Sequence, residues 1–278
     1  MDGSTPSSPI GKKSMIYRVC LRKHVDDRYS FIRKNEWLSS GVNFKKGSNV
    51  VIGPNGSGKS TLIDAMACVF CTRDRFTSLT DWTSSGRLGV VHDLMPALDS
   101  FDVTADFSKR IFQLCTEQAI SRRRRDMDFS SQSDFCRLMD TISSSSGEFL
   151  RRSISLTISD MFDTGTRFPL QELASMIGAS SDEWMRYQKY IRDHSVYDSD
   201  DSVVTLIMDE PDRGLDIEGT RELYSILTAV RSDIQVICTL HNPVLITLLK
   251  GKEGVNIIES VDGYLDEVVS YCRGEEMI

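Results

Sequence analysis

The chain has 278 residues; at about 150 residues per domain this is a prior near two domains, or one large α/β domain carrying an inserted piece. Its composition, 40% hydrophobic, 26% charged and 8% aromatic, excludes collagen-like, wholly disordered and disulfide-scaffold classes, and the length leaves too little chain for long coiled-coil arms. With 33 Lys and Arg against 40 Asp and Glu the net charge is −7, so a general affinity for nucleic acid is excluded while a local basic patch is not.

The cysteines stand at 20, 68, 71, 115, 136, 238 and 272; an odd, scattered set reads as free thiols of a reducing compartment. Cys68 and Cys71 form a C-x-x-C with no second pair at zinc spacing, so burial as small apolar side chains outweighs a redox or metal role. Residues 1–14 are rich in Ser, Pro and Gly, lack an apolar signal core and read as a flexible tail. No apolar run approaches the roughly 20 residues that a membrane span needs. The expectation is a cytoplasmic protein without a membrane span.

From 15 to 49 the pattern predicts short strands with turns, among them 15–21 and 29–32. Residues 49–53 form a short apolar run, as in a strand buried on both faces, and 59–70 have helical spacing through Leu62, Ile63, Met66 and Val69. Around 101–116 two strands are expected, read as a hairpin. Residues 148–162 look helical, as do stretches near 169–177 and 181–194, and the acidic run at 198–202 reads as solvated linker. Apolar strands at 203–208 and 234–240 alternate with helical 219–230 and 244–250. Residues 255–259 and the stretch from Tyr264 to Tyr271 read as closing strands. Strands alternating with helices argue for an α/β fold with a mostly parallel sheet, preceded by an N-terminal antiparallel β part.

Two motifs carry chemistry. Gly53-Pro54-Asn55-Gly56-Ser57-Gly58-Lys59-Ser60 is G-x-x-x-x-G-K-[ST], placed between an apolar strand and a helix, with Thr61 following. The glycines permit a tight turn whose N–H groups face a phosphate chain, and the helix N-terminus adds its positive dipole end. Lys59 supplies a charge for the β and γ phosphates, and the Ser60 hydroxyl suits Mg²⁺, which prefers oxygen. Further on, the strand at 203–208 delivers Asp209 and Glu210 at its C-terminal end, where open α/β sheets bind ligands. Asp209 suits Mg²⁺ and Glu210 suits the deprotonation of water.

The order of these motifs resembles the ABC-type P-loop ATPases. Asp209-Glu210-Pro211 followed by Gly214-Leu215-Asp216 is similar to that family's Walker B motif and D-loop, and His241 matches the position of its switch histidine. The family's signature element has its best counterpart in 142–148, where Ser145, Ser146 and Gly147 precede a helical stretch; no LSGGQ occurs. This variant is similar to those of SMC-, RecF- and OLD-like ATPases, including Septu- and retron-associated ATPases of anti-phage defence. The resemblance implies ATP and Mg²⁺ as ligands, with Glu210, His241 and Lys59 in catalysis. The nucleotide would lie on Gly53 to Thr61 together with Ser145, Ser146, Gly147 and Asp216, and Mg²⁺ on Ser60 and Asp209. It also implies a homodimer stacked head-to-tail around ATP–Mg²⁺.

On this reading residues 15–278 form a single ATPase domain with a helical signature lobe at about 117–202. Its output passes to a separate effector such as a nuclease, in DNA repair or anti-phage defence. The alternative is the ATP-binding subunit of an ABC membrane transporter. The block Arg122, Arg123, Arg124 and Arg125 reads either as a nucleic-acid contact, as a protein contact or as a solvated face. Gln113 or Gln118 could be the family's Q-loop glutamine. Tyr17, Tyr29, Phe31, Trp37 and Phe44 are the candidates for stacking on adenine.

Overall fold

The structure, a computed structural model, describes residues 16–70, 94–108, 111–115, 179–196, 204–230 and 233–275. In chain order its elements are β1 (Ile16–Leu21), a 3₁₀ helix (Asp27–Ile32), α1 (Glu36–Ser40), β2 (Val42–Asn43), β3 (Gly47–Ile52), α2 (Lys59–Val69), β4 (Phe101–Ala105) and β5 (Ile111–Cys115). There follow α3 (Ser181–His194), β6 (Val204–Asp209), α4 (Ile217–Thr228), β7 (Ile234–Thr239), α5 (Pro243–Leu249), β8 (Val255–Glu259) and α6 (Tyr264–Arg273). Residues 94–100 are also helical.

The continuous apolar runs are strands covered on both faces. Five strands form a parallel sheet in the order β5-β6-β7-β3-β8. Alternate side chains of the same strands feed two separate cores. Val51, Ile207 and Ile237 face α2 and the antiparallel part, while Val50, Leu206, Met208 and Val236 join Leu223, Leu245 and Val268 from α4, α5 and α6. This two-residue alternation fixes the register, because a slip by one residue would exchange the two cores. The strand carrying the P-loop, β3, lies between β7 and β8, and β7 separates it from β6.

A second, antiparallel sheet has the order β2-β1-β4. Its strands bury one face and leave the other half-exposed, the alternation expected of a sheet with one wet face. Gln235 of β7 joins the two sheets. Its Oε1 accepts from the Ile16 N–H (3.0 Å) and the Thr205 hydroxyl (2.8 Å), and its Nε2 donates to the carbonyls of Ile16 and Lys45. The helix α3 starts at a capping box: the Ser180 hydroxyl accepts from Glu183 N–H while the Glu183 carboxylate accepts from Ser180 N–H. It docks through two buried tyrosines. The Tyr187 hydroxyl donates to the carbonyl of Val69 and the Tyr190 hydroxyl to that of Phe101.

Four expectations are corrected. Residues 29–32 are not a strand but part of the 3₁₀ helix, because the Asp26 carboxylate accepts from Arg28 N–H and turns the chain there. The segment before residue 49 also contains α1, which the expectation of strands alone missed. The two strands at 101–116 do not form a hairpin: β4 pairs with β1, and β5 pairs in parallel with β6. Residues 264–271 are helical rather than a closing strand. Val268 and Val269 are buried one turn after Leu265, and left-handed Gly263 and Gly274 bound the helix. The lobe at 117–202 is described only from residue 179 to 196, and the tail at 1–14 lies outside the described residues. Among the described residues no helix is long and apolar enough to cross a membrane.

Candidate functional site

Between β3 and α2 the backbone takes the conformations that the glycines make available: φ is 151° at Gly53, 79° at Gly56 and 91° at Gly58. A Cβ at Gly53 would overlap the Ser260 hydroxyl, and one at Gly58 would lie 2.7 Å from Asn35 Nδ2, whereas at Gly56 it would meet open space. The loop is therefore held closely on two sides and open at its middle.

Of the holding residues, Asn35 and Ser260 were not singled out in the sequence, and Trp37 only as a candidate for stacking on adenine. Asn35 Nδ2 and Trp37 Nε1 both donate to the carbonyl of Ser57, at 3.0 and 2.8 Å, and the Ser260 hydroxyl donates to that of Ser57 at 2.7 Å. They come from sequence positions before β2 and after β8, and nothing in the local pattern at 53–60 points to them.

Lys59 is 4% exposed, and its Nζ donates to the carbonyls of Gly53 and Pro54, each at 2.9 Å. Burial pushes its ammonium below the ordinary lysine value, and the charges of Glu210, Asp209 and Asp212 pull it partly back. The lysine is thus already desolvated and faces an acidic cluster. Gly53 is buried, Ser57, Gly58, Ser60 and Thr61 are half-buried, and Pro54, Asn55 and Gly56 are exposed.

The acidic cluster grows from the end of β6, beside the end of its neighbour β7. Glu210 has φ 46°, the one non-glycine residue with positive φ among the described residues. Its Oε1 lies 3.2 Å from His241 Nε2 and its Oε2 lies 3.5 Å from Arg213 Nη1. The Thr239 hydroxyl donates to Asp209 Oδ1 (2.7 Å) and accepts from Glu210 N–H (2.8 Å). Asp212 Oδ2 accepts from the N–H groups of His241 (2.7 Å) and Asn242. Thr239 and Asp212 also escaped the sequence reading, since a threonine inside an apolar strand and an aspartate in an acidic turn carry no distinctive signal. Close by, burial and then the charge of Asp212 push the Cys238 thiol far above its ordinary value, so it stays protonated and inert.

A family model described as the P-loop containing region of AAA domain matches residues 38–78. Residues 38–78 are thus similar to the P-loop region of nucleotide-binding proteins. The match begins in α1, spans β3 and the loop, and continues past α2, so it covers the stretch that contains the glycine-rich loop and Lys59. The five-stranded parallel sheet with its antiparallel companion fits the α/β architecture of such a fold. No curated protein matches the chain at a significant level.

The structure brings Lys59, Asp209, Glu210 and His241 to one end of the parallel sheet. Asp216 caps α4, its Oδ1 accepting from Gly219 N–H at 2.8 Å, and its side chain is exposed. Ser145, Ser146, Gly147, Arg122 to Arg125 and Gln118 lie outside the described residues. Gln113 lies in β5, its backbone paired opposite Ile207. Of the aromatic candidates, Tyr29 and Phe44 belong to the core, where Tyr29 meets the ring of Phe101 edge-on. Phe31 is 70% exposed, Tyr17 is half-buried and Trp37 holds the loop.

Proposed function

We propose that this chain binds ATP with Mg²⁺ and hydrolyses it, and that two copies close head-to-tail around the nucleotide in the manner of ABC-type ATPases. The observation that carries the reading is the Glu210–His241 pair, 3.2 Å apart at the ends of adjacent strands, beside a desolvated P-loop lysine. The donor set fits the cation: Ser60 at the start of α2 and Asp209 at the end of β6 offer hard oxygen ligands. When bound there, Mg²⁺ would neutralise charge on the phosphate oxygens.

The chain's own residues supply the rest. Backbone N–H groups of Gly53 to Thr61 and the Lys59 ammonium bind and orient the phosphates. The Glu210 carboxylate takes the proton of the attacking water, and His241 keeps that carboxylate directed and stabilises charge beside it. The resemblance to SMC-, RecF- and OLD-like ATPases supports an output handed to a separate effector, such as a nuclease, in DNA repair or anti-phage defence. A second copy would bring Ser145, Ser146 and Gly147 against the γ-phosphate.

The test is Glu210→Gln. Removing the proton acceptor should lower turnover by about 10²–10⁴-fold and leave ATP binding intact, so that an ATP-bound dimer accumulates in light scattering. A variant that remains monomeric with ATP sinks the head-to-tail arrangement. Undiminished turnover sinks the role of Glu210. Lys59→Ala should lose binding and turnover together, and stimulation of hydrolysis by DNA or RNA tests the basic block at 122–125.

A further inference from the structure

The turns after β6 and β7 are joined more closely than adjacent parallel strands require. Each turn gives one side chain to the backbone of the other. From β7, the Thr239 hydroxyl accepts from the Glu210 N–H at 2.8 Å and donates to Asp209 Oδ1 at 2.7 Å. From the β6 turn, Asp212 Oδ2 receives the consecutive N–H groups of His241 and Asn242. Thr239 is 0% exposed and Asp212 6%, so the two holding side chains are themselves shielded from water.

We propose that Thr239 and Asp212 are positioning residues, a reciprocal clamp that holds Glu210 and His241 at their working separation. The proposal rests on the reading of Glu210 and His241 as the water-activating pair. Two features separate a clamp from ordinary packing. Glu210 sits at φ 46°, a region that side chains other than glycine occupy only where the surroundings impose it, and its N–H is the group that Thr239 holds. Asp212 Oδ1 is buried and has no hydrogen-bond partner among the described residues. A carboxylate placed for stability would have both oxygens matched, because a buried unmatched charge is costly. Here the other oxygen receives two consecutive N–H groups of the histidine turn.

Both bonds of Thr239 depend on its hydroxyl alone, so Thr239→Val removes them at nearly constant volume and Thr239→Ser restores them. Asp212→Ala removes the other half of the clamp. A misplacement on the order of 1 Å lowers turnover by about 100-fold, and that is the loss of kcat expected for Thr239→Val. KM for ATP should change much less than kcat, since Lys59 and the loop keep their own bonds and, of the groups assigned to ATP–Mg²⁺, only Asp209 loses one, and Thr239→Ser should recover most of kcat.

Amide exchange in the nucleotide-free protein reads the clamp without any reaction. Exchange should quicken at Glu210 in Thr239→Val, and at His241 and Asn242 in Asp212→Ala. The clamp is overturned if those amides exchange as in the wild type. Its positioning role is overturned if Thr239→Val keeps wild-type kcat, or if the serine variant loses as much as the valine variant. A wild type that hydrolyses no nucleotide, while the exchange changes appear, overturns the functional reading instead.

Discussion

Two groups of charged residues sit on the two sheets, and they are built in opposite ways. At the end of the parallel sheet, Lys59 is desolvated, Glu210 is backbone-strained and one buried oxygen of Asp212 has no partner among the described residues. On the open face of the antiparallel sheet, Asp102 of β4 accepts from Arg22 Nε (2.6 Å) and His194 Nε2 (2.9 Å) through the same oxygen. His194 Nδ1 faces the carbonyl of Tyr190 at 2.8 Å, its ring stacks on Tyr190, and Arg22 lies over the same tyrosine. Both ring nitrogens face acceptors, so the doubly protonated imidazolium is the form that satisfies them. The second group fastens α3 to β4 through charge pairs; the first gathers a buried lysine held on backbone carbonyls and a carboxylate at a positive φ. Strain and unmatched charge collect where chemistry happens, and matched charge collects where elements are held together.

The comparison can be broken most forcefully at the junction of the sheets. Gln235→Leu would strip a partner from the Ile16 N–H, the Ile16 carbonyl and the Thr205 hydroxyl. At about 1–3 kcal/mol for each unsatisfied group, the loss should reach about 3–5 kcal/mol in denaturant unfolding. A loss under about 1 kcal/mol would mean that the sheets hold together without it. Next in size is the capping box of α3: Ser180→Ala should cost about 1 kcal/mol and leave nucleotide turnover unchanged, which sharpens the separation between fastening and chemistry.

The smallest effect is the pH dependence of the Asp102–His194 pair. The hydrogen bond to Asp102 raises His194 above its ordinary 6.5, and the hydrogen bond to His194 lowers Asp102 below its ordinary 3.8. The histidine's contribution is therefore complete below about pH 6.5 and is lost as pH rises through its higher folded value. The aspartate's contribution is complete above about pH 3.8 and is lost as pH falls through its lower folded value. Both groups are partly exposed, so screening keeps the stabilisation under about 1 kcal/mol. Melting curves of wild type and Asp102→Asn should differ most near pH 5.5 and less toward pH 9, where the pair with Arg22 remains. An equal gap at both would mean that His194 contributes nothing through its charge.

What the sequence revealed follows from the range of the forces involved. The apolar runs of β3, β6 and β7, the helical spacing of α2 and the loop at 53–60 are local patterns, and each is legible because burial on both faces or a tight turn demands particular neighbours. The closing helix α6 was misread because its adjacent valines favour strands, while its burial against α5 is a matter of tertiary packing. The same limit hid the braces of the loop. Asn35, Trp37 and Ser260 matter only because the fold brings them to Ser57 from both sides of the sequence. Tyr29 and Phe44 could be removed from the aromatic candidates only once their burial was known.

The position of β3 also sets an order of events during synthesis. Its neighbours in the sheet are β7, which pairs Val50 with Cys238, and β8, which pairs Val50 with Ile257. The Ser57 hydroxyl is fixed by Ser260. The loop is thus translated early, yet every strand that flanks it emerges late. A ribosome-bound chain that stops short of residue 260 carries the whole motif and the braces Asn35 and Trp37, but not the last part of the frame. Such delayed pairing leaves apolar strand edges waiting for partners, the interval in which a nascent chain most needs a chaperone.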